Sequence, residues 1–385
     1  MRNMAQKRAI IITAVGAGGK STYLKHRALD YVRRGLRAAV TTTTHICAPE
    51  GSREGEYLIH GTDGIDYVGT PAAGEKLSAP PADVLEAVCR EYDAVLVEGD
   101  GSHCMPVKIP RPGEPVIPED TDEIAVVMGR QAIGRRLEVV CHRYDPGRLP
   151  GGIVTDQMLE QIAREFYIAP LRERYPRAKV FYSPSAYEPE KMNQTASLPV
   201  TAVVLASGFG RRYGGNKLLA EYDGKPLYRH VLDHVTGALG KEHTVVVTQY
   251  REIMDEMAKE GICALYNEYA AEGISASIRI GTQEALRRET SEAVVFFAAD
   301  MPCLAQDEIR RYVHQFLWSG KNYGCMESGP EHIMTNPGAF RLKEAAGSLL
   351  QLSGDRGAMR IMKPHPHEIY RYQTAEEEVR DIDVR

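Results

Sequence analysis

The 385-residue sequence predicts an α/β fold in two domains. Short apolar segments of strand type alternate with helical segments, which is typical of parallel sheets covered by helices on both faces. Each half begins with an apolar strand that leads into a glycine-rich loop. Between the halves, residues 183–198 contain two prolines and no apolar period, as linkers do. We therefore predict domains at residues 1–185 and 200–385, joined by a linker at 186–199.

The apolar runs and their lengths place the individual elements. In the first half we predict strands at residues 9–14, 38–42, 94–98 and 123–128, and helices at 21–34 and 82–91. In the second half we predict strands at 201–205, 243–248, 263–266 and 293–298, and a helix at 227–239. Both glycine-rich loops then lie at the carboxyl ends of strands, where open α/β sheets bind ligands.

The composition excludes several classes of protein. A hydrophobic content of 43% and a charged content of 26% are typical of a soluble globular chain. The net charge of −5 gives no excess of positive charge that would attract nucleic acid. No apolar run approaches the ~20 residues that span a bilayer. Seven scattered cysteines without a C-x-x-C pair favour a reducing compartment. We expect a cytoplasmic protein whose partners include neither nucleic acid nor membrane.

The loop of the first half fits the P-loop pattern, with Ala14 at the position where glycine is more usual. It follows a strand and opens a helix, so the amides of residues 17–19 would surround phosphates. Lys20 would reach the β and γ groups, and Ser21 would bind Mg²⁺. The alternative is a plain glycine turn capped by Ser21. This P-loop-like parallel α/β domain has the predicted nucleotide-binding residues Gly16, Ala17, Gly18, Gly19, Lys20, Ser21 and Thr22.

Two later segments of the first half fall at strand ends. Thr43 and Thr44 offer hydroxyl groups to a γ-phosphate or a metal. Glu98 and Asp100 follow an apolar strand, the layout of a metal-binding acidic pair. A β-rich edge is the alternative for the threonines, and a solvated turn is the alternative for the acids. Their joint placement at strand ends favours nucleotide binding.

The first half resembles the YqeC-type accessory proteins of selenium-dependent hydroxylases. The resemblance covers residues 9–136 and rests on G-A-G-G-K-S-T, T-T-T-T-H-I, E-G-D-G-S, Lys108 and the run E-P-V-I-P at 114–118. It implies a role in the maturation of selenium-dependent molybdenum hydroxylases. It does not indicate which reaction the domain would catalyse. An apo molybdenum hydroxylase, or its maturation machinery, is then an expected partner.

The second half opens with the loop V-V-L-A-S-G-F-G-R-R-Y-G-G-N-K, at residues 203–217. Its glycines let backbone amides close on an anion, and Arg212 and Lys217 add positive charge. No Gly-Lys-Ser/Thr follows, so the loop is not a P-loop, and an ordinary turn is the alternative. The predicted nucleotide-binding residues here are Leu205, Ala206, Ser207, Gly208, Gly210 and Lys217.

This loop resembles the signature L-A-A-G-x-S-x-R-M-G-x-x-K of the MobA-like nucleotidyltransferases. Three later segments resemble that family in the same order: N-E-Y-A-A-E-G-I-S-A-S at 267–277, D-M-P at 300–302, and N-P-G-A-F at 336–340 followed by G-D-R-G-A at 354–358. The resemblance covers residues 200–385 and implies a Rossmann-like, GT-A-like nucleotidyltransferase domain. The implied nucleotide contacts are Asn267, Gly273, Ser275 and Ser277, and the implied acceptor contacts are Asn336, Pro337, Gly354 and Asp355.

The resemblance also implies the catalytic residues. Arg212 and Lys217 would hold the β- and γ-phosphates, and Asp300 would hold Mg²⁺ between the phosphates. The acceptor's terminal phosphate is already anionic, so catalysis is mostly alignment and charge neutralisation. Asp383 matches the family's C-terminal Asp-x-Asp element as a second metal ligand, and a frayed acidic tail is its alternative.

The loop spacing favours the molybdenum-cofactor cytidylyltransferase branch, because it lacks the extra residue before Lys217 that guanylyltransferase relatives usually carry. The expected substrates are CTP and molybdopterin or Mo-molybdopterin, with release of pyrophosphate in the presence of Mg²⁺. Ser207 replaces both the alanine associated with cytidine and the glycine associated with guanosine, so GTP and ATP stay open. Two other functions remain: a sugar-phosphate nucleotidyltransferase and a non-catalytic, nucleotide-switched cofactor chaperone. Retention of Arg212, Lys217 and Asp300 argues against the chaperone.

Overall fold

A computed structural model describes residues 8–189, 198–209, 216–329 and 331–381 of the chain. The chain divides into two structural units, residues 1–189 and 190–385. Each unit is built around one large, mainly parallel sheet. Within the described ranges, no helix is both long enough and apolar enough to span a bilayer.

The first unit alternates strands and helices in its central part and adds short hairpin strands between them. Its strands are β1 (Ile10–Gly16), β2 (Ala38–Thr42), β3 (His45–Cys47), β4 (Gly51–Glu54), β5 (Leu58–Gly61), β6 (Asp66–Val68), β7 (Thr70–Ala72), β8 (Lys76–Ser78), β9 (Ala94–Glu98), β10 (Val107–Lys108), β11 (Glu123–Met128), β12 (Cys141–His142) and β13 (Lys179–Pro184). Its helices are α1 (Lys20–Val32), α2 (Ala82–Glu91), α3 (Leu137–Val140), α4 (Asp156–Ala163) and α5 (Ala169–Arg174), and a π-helical turn at Arg164–Ile168 joins the last two.

The main sheet of the first unit has the strand order β13-β11-β1-β9-β2-β6-β5-β4. The six strands from β13 to β6 run parallel, and β5 and β4 are antiparallel additions at one edge. On one face Leu24 and Ala28 of α1 pack against the sheet, and on the other Leu159 and Tyr167 cover it. Burial of a leucine side chain such as that of Leu24 or Leu159 contributes about 1.5–3 kcal/mol, so packing on both faces stabilises the sheet.

The second unit repeats the alternation of strand and helix and then adds antiparallel pairing. Its strands are β14 (Val200–Ala206), β15 (Glu221–Tyr222), β16 (Lys225–Pro226), β17 (Thr244–Thr248), β18 (Cys263–Tyr266), β19 (Ala293–Ala298), β20 (Tyr323–Ser328), β21 (Ile333–Arg341) and β22 (Ile369–Gln373). Its helices are α6 (Leu227–Leu239), α7 (Arg251–Glu260), α8 (Ile274–Arg287), α9 (Gln306–Ser319), α10 (Leu342–Leu350) and α11 (Met359–Met362).

The sheet of the second unit has the strand order β18-β17-β14-β19-β21-β20-β22. All of its strands run parallel except β21, which is antiparallel to both β19 and β20. One face packs against α6 and α9, and the other against α8 and α10. β14 therefore lies inside the sheet with both faces covered, as its uninterrupted apolar sequence predicts.

The α/β fold predicted from the sequence is confirmed, and the predicted strands of both halves lie within one or two residues of the observed ones. β1 continues past Ala14 because Val15 and Gly16 pair with β11. The antiparallel strands were not predicted. β4 has the polar sequence G-S-R-E, and β21 contains Pro337, a residue that disfavours a central strand. The ladder between β20 and β21 is irregular at this point, which accommodates the proline.

We predict that a chain beginning at Leu198 folds and keeps any activity of the second unit. Each unit has its own sheet and its own buried clusters, so the second needs no strand from the first. Circular dichroism and thermal unfolding of this fragment, beside the full chain, check the prediction. An insoluble fragment from a soluble full chain would mean that the two units share a core.

Candidate nucleotide-binding sites

The second unit brings most of its predicted site residues to one edge of its sheet. β18, β17, β14 and β19 are parallel neighbours, so their carboxyl ends lie side by side. Asn267 follows β18, Ser207 follows β14 and Asp300 follows β19. Such an edge collects ligand-binding groups because the loops of several strands meet there.

Lys217 and Asp300, which are 83 residues apart, form an ion pair at this edge. Lys217 Nζ lies 3.2 Å from Asp300 Oδ2. A 3₁₀ turn at Lys217–Leu219 positions the lysine, because Asn216 Oδ1 accepts from the Leu218 amide and the Leu218 side chain is buried. The pair places one positive and one negative group at the end of β19. Gly210 and Arg212 of the same loop, and Asp383 of the tail, lie outside the described residues.

Asp300 can bind a metal ion together with a substrate. The described residues around it do not supply a complete set of metal ligands. About a third of its side chain is exposed, so a phosphate can approach it. Among the described residues there is no group of three or more His, Cys, Asp or Glu side chains that could hold a metal. Mg²⁺ commonly binds one or two carboxylates plus the phosphates of a substrate, so the single carboxylate fits this ion.

The two serines and the asparagine of the 267–277 segment have mainly internal partners. Asn267 Nδ2 donates to Ser277 Oγ at 2.9 Å, and Asn267 Oδ1 accepts from the Tyr269 amide at 3.0 Å. All three side chains, those of Asn267, Ser275 and Ser277, are buried. These bonds tie the end of β18 to the first turn of α8. Their direct role is thus to fix the shape of the site.

Gly273 and Gly354, for which the MobA-like resemblance implies contacts to nucleotide and acceptor respectively, are brought into contact. Gly273 has φ +105°, and an added Cβ would lie 2.7 Å from the Gly354 oxygen. The Ser275 amide lies 3.4 Å from the same oxygen. Any side chain at position 273 would therefore separate the two loops. Asp355 is exposed beside this contact.

The other acceptor residues lie on β21. Asn336 and Pro337 precede Gly338, which pairs with Phe296 of β19, so they lie toward the carboxyl end of β19. Pro337 is buried, and its carbonyl accepts from the Tyr312 hydroxyl at 2.9 Å. Asn336 is half-buried. The structure thus places both residues at the edge that carries Asp300.

In the first unit the glycine-rich loop joins β1 directly to α1. An added Cβ at Gly16 (φ +92°) would lie 2.3 Å from the Val127 oxygen, so only glycine fits there. The Ala17 amide donates to the same oxygen at 2.8 Å. That amide is therefore engaged, and Gly18, Gly19 and the first turn of α1 are left as the candidate phosphate donors. Gly19, as the N-cap of α1, provides no capping side chain.

Lys20 and Ser21 both contact the end of β9. Lys20 is buried, with Nζ 3.0 Å from the Gly16 oxygen and 3.8 Å from Glu98 Oε1. Ser21 Oγ donates to Glu98 Oε2 at 2.7 Å. Next to them, the Thr43 amide and the Thr42 hydroxyl bind the Glu98 carbonyl, at 3.0 and 2.9 Å. The residues predicted from three separate segments therefore meet at one point, and Thr44 extends from the same turn.

Asp100 belongs to a buried ionic network that sequence reasoning did not find. Its carboxylate pairs with Lys108, accepts from the Tyr167 hydroxyl at 3.2 Å and lies 3.4 Å from the Gly16 amide. Lys108 also lies 2.7 Å from Glu114, which pairs with Arg143. Lys108 and the segment at 114–118 are part of the YqeC resemblance. Tyr167 and Arg143 have no motif that would have revealed them.

The ion pairs of this network set the ionisation of Glu114. Burial opposes its negative charge, but hydrogen bonds from Lys108 and Arg143 outweigh burial and lower its pKa to about 2. Burial, with the nearby charges of His103, Arg143 and Lys108, lowers the pKa of His142 to about 4. The His142 and His103 rings stack at 4.7 Å. Near neutral pH, Glu114 is therefore ionised and His142 is neutral.

Comparison with known proteins matches the two units to two families. Residues 12–145 match the family described as YqeC protein, and residues 202–369 match the MobA-like NTP transferase domain. Over 169 residues the chain is 31% identical to the uncharacterized protein YqeC of Escherichia coli, covering 40% of this chain and 66% of that protein. Over 66 residues it is 39% identical to a probable molybdenum cofactor guanylyltransferase of Thermococcus sibiricus, covering 17% of this chain and 33% of that protein.

A solved structure, that of Rv0371c from Mycobacterium tuberculosis, is also similar, with 22% identity and a TM-score of 0.41 over 48% of this chain and 93% of that one. The matched parts thus span a third to about two thirds of the curated relatives. The order of the two families agrees with the two resemblances identified from the sequence motifs. The chain joins a YqeC domain at its N-terminal end to a MobA-like NTP transferase domain at its C-terminal end.

Proposed function

We propose that the second domain is a Mg²⁺-dependent molybdenum cofactor nucleotidyltransferase that uses CTP and releases pyrophosphate. The observation that carries this proposal is the Lys217–Asp300 pair at the carboxyl edge of the sheet. A lysine stabilises negative charge on a departing pyrophosphate, and a carboxylate can hold the metal that neutralises phosphates. Arg212, in the same loop, would add a second positive charge.

The chain's own residues would mainly bind and align the reactants. The ends of β14 and β18 would hold the nucleotide, and Asn336, Pro337, Gly354 and Asp355 would hold molybdopterin or Mo-molybdopterin. The acceptor phosphate would attack the α-phosphate, and the bond to pyrophosphate would break. When bound, Mg²⁺ supplies charge neutralisation to the phosphates. The close contact between Gly273 and Gly354 supports this arrangement, because it joins the nucleotide and acceptor segments.

The choice of CTP rests on the spacing between Leu205 and Lys217. The relative from Thermococcus sibiricus is named a guanylyltransferase, so GTP is the competing base. Ser207 Oγ donates to the Val247 oxygen at 3.1 Å, which commits its proton and leaves the oxygen as an acceptor. An acceptor at this position suits a base with an exocyclic amine, which cytosine, guanine and adenine carry and uracil lacks.

Pyrophosphate release with CTP, GTP or ATP, with and without molybdopterin, tests the proposal. We expect release that requires molybdopterin and is fastest with CTP. Faster release with GTP would mean that guanine is the preferred base, and the proposed nucleotidyltransferase reaction would stand. Release with sugar phosphates in place of molybdopterin would indicate a sugar-phosphate nucleotidyltransferase. Binding of nucleotide and pterin without release would indicate a carrier of cofactor.

We further propose that the first domain binds a nucleoside triphosphate through Lys20 and Ser21 and acts in maturation of selenium-dependent molybdenum hydroxylases. The convergence of Lys20, Ser21 and Glu98 supports nucleotide binding, because a hydroxyl and a carboxylate beside a lysine can serve Mg²⁺ and phosphates. The maturation role rests on the YqeC resemblance. Co-purification with an apo molybdenum hydroxylase, in the presence and absence of nucleotide, tests it.

A further inference from the structure

Three consecutive side chains, from the last residue of β17 onward, bind three consecutive carbonyls at the end of β14. Thr248 Oγ1 donates to the Ala206 oxygen at 2.9 Å, Gln249 Nε2 to the Ser207 oxygen at 2.7 Å, and the Tyr250 hydroxyl to the Gly208 oxygen at 2.6 Å. The last backbone pair of the two strands is Ala206 with Thr248. The side chains of Gln249 and Tyr250 therefore extend the pairing by two residues beyond the end of the ladder.

This extension changes the direction of the peptide groups. In a strand, successive carbonyls point alternately to the two neighbours. The Leu205 oxygen faces β19, where the Ala299 amide lies 3.4 Å away, and the Ala206 oxygen faces β17. A regular strand would turn the Ser207 carbonyl back toward β19, but this carbonyl accepts from Gln249, and the next carbonyl accepts from Tyr250, two residues that directly follow β17.

The consequence for the amides follows from peptide geometry. In a trans peptide the C=O and N–H groups point in opposite directions. With the Ser207 and Gly208 carbonyls both directed to β17, the amides of Gly208 and Phe209 are both directed to the β19 side. That side carries Asp300 and Lys217. Successive amides that point to one side form a concave anion-binding group.

The surroundings of Gly208 leave room for such an anion. Gly208 is exposed, and an added Cβ would meet no heavy atom of the described residues within 4 Å. None of the described residues therefore blocks the approach of a phosphate to this peptide. Gln249 and Tyr250 lie on the opposite side of the same peptides, so they do not occupy this space.

We infer that Gln249 and Tyr250 are positioning residues, which direct the amides of Gly208 and Phe209 toward the phosphates of the bound nucleotide. The inference rests on the nucleotidyltransferase function proposed above. Because the two side chains hold the backbone and do not read the base, their loss should weaken binding of every nucleoside triphosphate by the same factor. A base-reading role would instead change the ratio between CTP and GTP.

The test uses the full chain with Gln249→Leu, Tyr250→Phe and the double substitution. For Gln249→Leu we expect KM for the nucleotide to rise about tenfold, equivalent to about 1.4 kcal/mol, at nearly unchanged kcat and an unchanged CTP to GTP ratio. Tyr250→Phe should have a smaller effect, because water can reach the exposed Gly208 carbonyl. The double variant should exceed either single one.

Inorganic tripolyphosphate separates this inference from the proposed reaction, because it has neither base nor sugar. Its affinity, measured by calorimetry in a Lys20→Ala background, should fall by the same factor as the nucleotide KM rises. Two matched substitutions serve as controls: Tyr370→Phe on β22 at the far edge of the sheet, whose hydroxyl donates to Gln315 Oε1, and Gln306→Leu, whose amide binds the Gly237 carbonyl elsewhere in the same unit. Both controls should bind tripolyphosphate as the unmodified chain does.

The outcomes distinguish the two proposals. If the unmodified chain releases no pyrophosphate but the variants lose tripolyphosphate binding, the proposed function fails and the positioning role stands. Unchanged tripolyphosphate affinity in the double variant, or in Gln249→Leu alone if the double variant does not fold, would overturn the positioning role. A change in the CTP to GTP ratio larger than the change in KM would also overturn it. An absence of tripolyphosphate binding by the Lys20→Ala chain would have the same consequence.

Discussion

Asp300→Asn should lower the rate of pyrophosphate release by about a thousandfold or more. The carboxylate lies at the end of β19, beside Lys217, and the substitution removes its negative charge while it keeps its shape. Loss of a carboxylate that holds the charge-neutralising Mg²⁺ in a phosphoryl-transfer transition state costs about 3–5 kcal/mol. Steady-state pyrophosphate release across a Mg²⁺ titration, at saturating CTP and molybdopterin, gives the measurement.

The fold should survive this substitution, because a partly exposed carboxylate at a strand end contributes little to core packing. Asp307→Asn is the matched control: it makes the same chemical change in the first turn of α9, on a side chain that is 66% exposed. It should leave the rate unchanged. Near-normal turnover by a folded Asp300→Asn protein would remove Asp300 from the catalytic site.

The second large effect is expected for Lys20→Ala in the first domain. A lysine that contacts phosphates contributes a charge-assisted bond of about 1.5–3 kcal/mol, so the affinity for ATP or GTP should fall at least about tenfold. The measurement is a nucleotide titration of the full chain in a Lys217→Ala background, which isolates the first site. Pyrophosphate release by Lys20→Ala alone, with Lys217 intact, should stay close to that of the unmodified chain.

Lys25→Ala is the control for this experiment. Lys25 lies on the same helix, is half-exposed and pairs with Asp63 at 2.9 Å, so its loss removes a positive charge without touching the loop. It should bind nucleotide normally. If Lys20→Ala also binds normally, the glycine loop is a structural turn. If it lowers pyrophosphate release in parallel, the two sites are coupled.

The sequence predicted those parts of the site that depend on strand ends. Asp300 and Lys217 are far apart in the chain, but each lies beside the carboxyl end of a parallel strand, so a common edge brings them together. The same argument joined Ser21 to Glu98 in the first unit. In both cases a local motif, together with the rule that parallel strands have their carboxyl ends at one edge of the sheet, was sufficient to predict that the residues lie close together.

Other residues could not be predicted, because their roles depend on distant partners. Gln249 and Tyr250 belong to no motif; they matter because the register of β14 and β17 continues through side chains beyond the ladder. Tyr167 reaches Asp100 from a helix 67 residues later in the chain. Both contacts depend on tertiary packing, which a pattern of local residue types does not record.

The π-helical turn at Arg164–Ile168 has a consequence for comparing this chain with its relatives. A wide turn accommodates one more residue than a regular helical turn, and each residue of an α-helix rotates the following side chains by about 100°. Tyr167 lies within this turn, and its hydroxyl reaches the Asp100 carboxylate. In a homologue shorter by one residue here, the equivalent tyrosine would face away from the acidic group. A single-residue gap in an alignment at this point would therefore mark a change in the ionic network, and not a neutral loop deletion.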